Sequence, residues 1–108
     1  MNVSYIDKHL EKECTDEKTM RKKHGNIAKR LKLRINALEM ATCIRDLRDI
    51  DQLGGWHGLS ADKNGLIAGK LSANYRLLVH PEGPFQDTSE FLECCDIEVQ
   101  KIEDYHGK

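Results

Sequence analysis

Two apolar stripes at helical spacing run through the first half of the chain. One recurs at i, i+4, i+8 and i+11 and consists of Ile27, Leu31, Ile35 and Leu38. The other lies on a different side of the same predicted helix and consists of Leu33, Ala37 and Met40. A helix that is apolar on two sides is normally covered on both. We therefore expect one stripe to meet a sheet and the other to meet a helix or a partner protein.

The remainder of this half predicts shorter elements. The segment VSYID alternates as a strand does, and DKHLEKEC has apolar residues at helical spacing. Thr15 is the predicted N-cap of the following helix, because Asp16 and Glu17 come next and favour a first turn. Gly25 interrupts the helical pattern, so we expect either a kink or a break there.

After the glycines of QLGGWHGL the apolar period becomes two. LIAGKL and NYRLLVH predict neighbouring strands joined by a turn at SAN. In the second strand one face is apolar and the other carries Arg76, Leu78 and His80. PEGPFQDTSEF is rich in turn formers and predicts an exposed loop. CCDIEVQKIEDYH predicts the last strand, with a β-bulge near residues 100–101 because Ile102 is out of step with the preceding apolar positions.

This order of elements predicts an α+β fold. N-terminal helices pack on one face of an antiparallel β-sheet, and residues 1–108 form a single domain. The face away from the helices then carries Lys70 and Arg76.

Charge is distributed unevenly along the chain although its net value is only −1. Residues 18–38 contain eight basic side chains and no acidic one, whereas residues 82–104 contain eight acidic side chains and one lysine. Two interpretations of the basic stretch are equally good: it binds a polyanionic partner, or it is a helix face exposed to solvent.

Composition narrows the classes of protein further. No apolar run approaches the about 20 residues of a membrane span, and the start MNVSYIDKHLEKE lacks the features of a signal peptide, so we expect a cytoplasmic protein without a membrane partner. The four cysteines form no CxxC pair and the five histidines form no HExxH site. We therefore expect reduced cysteines, no metal and no cofactor.

Several polar residues of the second half handle protons or anions. Arg76 lies mid-strand, where it either forms a salt bridge or contacts an anion through its bidentate guanidinium. His57 follows a tryptophan, where a packed, hydrogen-bonded histidine is the plain structural interpretation. The tail adds Asp104, Tyr105 and His106. Two imidazoles, a phenol, a carboxylate and a fixed cation suit metal-free proton transfer at a phosphodiester.

The stretch GGWHGLSADKNGLIAGKLSANYRLLVHPEG, followed by IEVQKIEDYH, resembles the RelE/HigB toxins of bacterial toxin–antitoxin modules, in particular their killer-protein branch. The terminal DYH together with the upstream YR carries most of this resemblance. It implies a small RelE-like fold and a ribosome-dependent, metal-independent endoribonuclease that cleaves mRNA in the ribosomal A site. The implied partners are the 70S ribosome, mRNA and an antitoxin of the small helix-turn-helix type, with operator DNA contacted only through that antitoxin.

The resemblance also implies roles for individual residues. His57, Arg76, Asp104, Tyr105 and His106 correspond to the catalytic positions. Lys63 lies in the turn that corresponds to the family's GDRKG and is implied, with Lys70, to contact RNA.

One departure from the family pattern keeps a second interpretation open. Ser60 stands where the family has a lysine, so the nuclease is slower, relies on Lys63 or Lys70, or is inactive. The alternative function is a catalytically silent RelE-fold binding module, which acts as an antitoxin-binding co-repressor or as an inhibitor of a target protein.

Overall fold

The computed structural model describes residues 1–58, 65–83 and 85–104. Of the expectations above, those that concern Ser60, Lys63, Tyr105 and His106 lie outside the described residues.

Helices occupy most of the first half of the chain, as expected. They are α1 (Lys8–Thr15), α2 (Glu17–His24), α3 (Ala28–Met40) and the short α4 (Leu47–Ile50). Single 3-10 turns at Ile44–Asp46 and Gln52–Gly54 flank α4. A further short helix, α5 (Thr88–Leu92), lies in the segment predicted as an exposed loop, so that prediction is wrong in part.

Aspartates cap three of these helices. Asp7 accepts a hydrogen bond from the Leu10 amide at the start of α1, and Asp87 accepts one from the Glu90 amide at the start of α5. Asp16 caps α2, and its carboxylate accepts from both the amide and the hydroxyl of Thr19. The prediction of Thr15 as this cap is wrong, because Thr15 is the last residue of α1. Threonine and aspartate both favour the N-cap position, so the residue type alone does not show which of the two caps the helix.

The described strands form one sheet in the order β1-β5-β4-β3-β2. The strands are β1 (Asn2–Tyr5), β2 (His57–Gly58), β3 (Ile67–Lys70), β4 (Tyr75–Pro81) and β5 (Asp96–Asp104). Neighbours are antiparallel except β1, which runs parallel to β5. The α+β class is therefore confirmed, but the sheet is mixed rather than purely antiparallel.

The last strand contains the expected bulge. Leu78 pairs with Lys101 and the next residue, Val79, pairs with Val99, so Gln100 is the extra residue. The bulge returns Ile102 to the apolar side, since Ile102 pairs with Leu77. A one-residue slip without it would reverse every side chain beyond residue 100.

The first apolar stripe of α3 packs in the core, as expected. Its members are at most 6 % exposed and meet the sheet face that carries Leu77, Val79 and Ile97. On the second stripe Ala37 is buried, whereas Leu33 is 47 % and Met40 is 77 % exposed. The chain alone thus leaves much of the second stripe uncovered.

Among the described residues, none of the helices combines the length and the apolar character needed to cross a bilayer.

Candidate functional site

The segment before β2 turns Trp56 inward and His57 outward. Gly55 has φ of 52°, a left-handed conformation that favours glycine. Trp56 is buried against Gly69 of β3, where an added Cβ would lie 2.6 Å from the indole ring. The alternation of β2 then exposes His57. The tryptophan is therefore the anchor that sets the direction of the histidine.

A buried ionic network holds this anchor in place. The Arg34 guanidinium donates through Nη1 to both carboxylate oxygens of Asp51, at 3.0 and 3.3 Å, and through Nε to the Lys70 carbonyl at 2.7 Å. The Trp56 indole N–H donates to Asp51 Oδ2 at 2.9 Å. The Arg34 and Asp51 side chains are 4 % and 11 % exposed. This network ties α3 to the segment before β2 and to the end of β3.

The imidazole of His57 has a defined orientation. Its Nδ1 lies 2.9 Å from the Gly55 carbonyl oxygen. A carbonyl only accepts, so Nδ1 carries the hydrogen, and in the neutral ring Nε2 has the lone pair. The structural interpretation of His57 predicted a packed, hydrogen-bonded side chain. The hydrogen bond is present, but the residue is exposed rather than packed. Its Nε2 is suited to accept a proton.

Two cross-strand rows bring the polar residues to the face away from the helices. Direct partners in an antiparallel pair share a face. One row runs from His57 through Ala68 and Leu78 to Lys101, and the adjacent row contains Lys70, Arg76 and Glu103. Strand spacing of about 4.8 Å and a rise of about 3.3 Å per residue put the Cα atoms of His57 and Arg76 about 12 Å apart. His57 and Arg76 therefore share one face of the sheet but lie apart along it.

Arg76 is partly engaged by the turn that precedes its own strand. Its Nη1 donates to the Ser72 carbonyl at 2.6 Å and to the Tyr75 carbonyl at 2.9 Å, and the residue is half-buried. These bonds fix the guanidinium at the β3–β4 turn. The sequence suggested a salt bridge or an anion contact for Arg76. The hydrogen bonds to backbone carbonyls give it a third, structural role.

The sequence patterns did not single out a carboxylate that lies on this face. Glu103 is 6 % exposed and pairs directly with Arg76, and Lys101 Nζ lies 3.9 Å from its carboxylate. The signal was present in the alternation of β5, because Lys101 and Glu103 are two residues apart. Glu103 lowers the positive charge available to an anion. Lys70 is exposed, and within the described part of the chain its ammonium makes no ion pair.

Asp104 is placed apart from the other predicted site residues. It is exposed and pairs with Tyr75, which alternates with Arg76 along β4. Strand alternation therefore assigns Asp104 to the opposite face of the sheet. The structure brings His57, Lys70 and Arg76 to one face and does not add Asp104 to them.

The basic stretch of residues 18–38 divides between structural and solvated side chains. Arg34 is buried in the network above, and Lys32 and Arg21 contact Glu17. The hydrogen bond and the positive charge of Lys32 hold the pKa of the Glu17 carboxyl below its ordinary value. The other basic residues of the stretch form no ion pair with described residues: Lys18, Lys22, Lys23, Lys29 and Arg30. They remain available to a polyanion.

Within residues 1–58, 65–83 and 85–104, no three histidine, cysteine, aspartate or glutamate side chains are grouped so that they could hold a metal ion.

Comparisons of the chain with protein-family models, with curated proteins and with solved structures gave no match. The relation to RelE/HigB toxins therefore stays a hypothesis that rests on the motif residues.

Proposed function

We propose that this protein is the toxin component of a toxin–antitoxin module. It acts in the cytoplasm as a metal-independent endoribonuclease that cleaves mRNA in the A site of the 70S ribosome. The observation that carries the proposal is that an oriented imidazole, His57, shares one sheet face with two cations, Lys70 and Arg76. The motif resemblance supplies the substrate class.

The reaction needs a base, an acid and a cation. Nε2 of His57 takes the proton of the ribose 2′-hydroxyl, the 2′-oxygen attacks phosphorus, and the bond from phosphorus to the 5′-oxygen breaks. The products are a 2′,3′-cyclic phosphate and a 5′-hydroxyl. His106 protonates the leaving 5′-oxygen and Tyr105 orients the base. Arg76 and Lys70 stabilise the negative charge on the phosphorane.

Lys70 takes over the work of the lysine that Ser60 replaces. Lys70 pairs directly with Arg76 across β3 and β4, so the two cations lie side by side. Loss of one donor of this kind lowers rates by about 10²–10³ in other enzymes. We therefore expect a working nuclease whose rate depends strongly on Lys70.

The antitoxin is the proposed cover of the exposed second stripe of α3. Leu33 and Met40 project from a helix whose neighbouring surface carries Lys29 and Arg30. An acidic amphipathic segment complements such a surface in both shape and charge. The antitoxin is a small helix-turn-helix protein, and operator DNA is contacted through it alone.

One observation favours the catalytically silent binding module as a second candidate. The Nη1 of Arg76 is engaged by two turn carbonyls, and the buried Glu103 lies opposite it. An arginine held in this way stabilises the sheet without any substrate. In that case the fold and the antitoxin contact are retained, and the protein serves as a co-repressor or as an inhibitor of a target protein.

Induction of the protein without its partner separates the two candidates. The variants are His57→Ala, the deletion of residues 104–108, and His9→Ala as a control, because His9 is an exposed histidine on α1, remote from the sheet face. We expect wild type and His9→Ala to arrest growth and fragment mRNA, and the other two variants to do neither. Growth arrest by a folded His57→Ala protein at wild-type level would favour the binding module.

A further inference from the structure

A cleft opens beside His57, between β2 and the helices α4 and α5. It has a volume of about 330 Å³, which lies within the range of small-ligand sites. Its walls are apolar and include Leu47, Trp56, Ile67 and Phe91. The proposed cleavage reaction uses the rim of this cleft, at His57, but none of its interior.

Two exposed arginines, Arg45 and Arg48, also line the cleft, so they lie at its opening. Arg45 and Arg48 are three residues apart in one continuous helical segment, so they lie on one face. Arg45 contacts Glu93 at 3.6 Å, with both side chains more than half exposed. An exposed pair of this kind is weak and yields to a ligand. Arg48 is exposed and makes no ion pair with any described residue.

Both aromatic residues of the lining are packed or hydrogen-bonded by neighbours. Phe91 packs edge-on against Phe85, with ring centroids 5.5 Å apart and an interplanar angle of 82°. Trp56 is fixed by its hydrogen bond to Asp51. A flat ring that enters the cleft therefore meets a preformed surface, and base–aromatic contacts contribute substantially to single-strand binding.

We propose that this cleft is a nucleotide subsite for single-stranded RNA. The base enters the apolar cleft, its phosphate meets Arg45 and Arg48, and the ribose lies at His57. The combination of an apolar, aromatic interior with two cations at the opening matches a nucleotide better than an apolar or a purely anionic ligand. The inference rests on the proposed function for its assignment to RNA, whereas occupancy of the cleft by a nucleotide does not require cleavage.

The single tryptophan of the chain reports on the cleft directly, because Trp56 lines it. Purified full-length protein is titrated with adenosine 5′-monophosphate and with a short single-stranded RNA, and indole fluorescence is excited where adenine does not absorb. We expect a saturable change with both probes and tighter binding of the RNA. Ribose 5-phosphate, which lacks the base, should bind at least about tenfold more weakly than the mononucleotide.

The variant pair is Arg45→Ala/Arg48→Ala and Arg21→Ala. All three arginines are exposed, and Arg21 lies on α2, away from the cleft, where it contacts Glu17. Loss of the phosphate contacts should raise Kd by at least about tenfold, equivalent to one charge-assisted hydrogen bond, whereas Arg21→Ala should stay within about twofold of wild type. Far-UV circular dichroism checks that both variants fold.

Two results would overturn the nucleotide subsite: no fluorescence change with either probe, or equal Kd values for the double variant and wild type. Mononucleotide binding as tight as RNA binding would overturn the assignment to RNA. The subsite and the proposed function are tested independently of each other. Cleavage of RNA without binding in the cleft would refute only the subsite, and binding in the cleft without cleavage would refute only the nuclease function.

Discussion

Asp51→Ala is expected to destabilise the protein more than any exposed substitution in the same segment. The carboxylate accepts two hydrogen bonds from Arg34 and one from the Trp56 indole. Its removal leaves a guanidinium that is 4 % exposed with only the Lys70 carbonyl as a partner within the described residues. A buried charge that loses its counter-ion is among the most costly single changes to a fold.

The expected magnitude follows from the burial and from the contacts that remain. Removal of one partner from a buried ion pair costs about 3–5 kcal/mol. The lower end applies because Asp51 is 11 % exposed and the Nε bond of Arg34 survives. We expect the free energy of unfolding to fall by about 3 kcal/mol, from a total of about 5–15 kcal/mol for a domain. The melting temperature should fall by about 12–24 °C.

Urea unfolding, followed by both Trp56 fluorescence and far-UV circular dichroism, measures this loss and tests two-state behaviour. Asp49→Ala is the matched control, because Asp49 is an exposed aspartate in the same helical segment. It should change the unfolding free energy by less than about 0.5 kcal/mol. If Asp51→Ala unfolds within about 1 kcal/mol of wild type, the network does not anchor the segment that presents His57.

Three further predictions concern the core. Gly69→Ala should destabilise the protein by about 1–3 kcal/mol in thermal melts, because its Cβ would lie 2.6 Å from the Trp56 ring, whereas the Cβ of Gly58→Ala meets no described residue within 4 Å and should not destabilise it. Burial raises the pKa of the Cys14 thiol from 9.0 to about 12, so stability should fall as pH rises from 9.0 towards 12, and Cys14→Ala should flatten that decline in urea titrations. Tyr5→Phe should stabilise the protein by about 1 kcal/mol in the same titrations, since the buried Tyr5 hydroxyl has no hydrogen-bond partner among the described residues; a loss of stability would show that the hydroxyl is satisfied.

Periodicity made the local part of the fold predictable. Ile102 falls out of step with Ile97 and Val99, and a bulge is the one local device that restores the period, which the pairing around Gln100 confirms. The inward direction of the first α3 stripe and the outward direction of Arg76 follow from spacing in the same way.

Pairing between distant segments was not predictable from spacing. The parallel contact of β1 with β5 joins residues more than 90 positions apart, and alternation in either strand says nothing about which neighbour it selects. The bond between Arg34 and Asp51 likewise joins two ordinary charged residues of a sequence in which 32% of residues are charged. The face of the sheet on which Asp104 lies depends on the bulge and on how the end of β5 pairs with β4. The order of apolar and polar residues does not define that pairing.

The central claim, that His57 and its neighbours cleave mRNA, is tested most directly with purified components. Ribosomes that carry a defined mRNA with an empty A site are incubated with the protein or with His57→Ala, and both new RNA ends are mapped and chemically typed. We predict one cut within the A-site codon by the wild-type protein, with a 2′,3′-cyclic phosphate on one side and a 5′-hydroxyl on the other, and no cut by the variant. Intact mRNA after incubation with folded wild-type protein, or cleavage that persists in His57→Ala, would contradict the account.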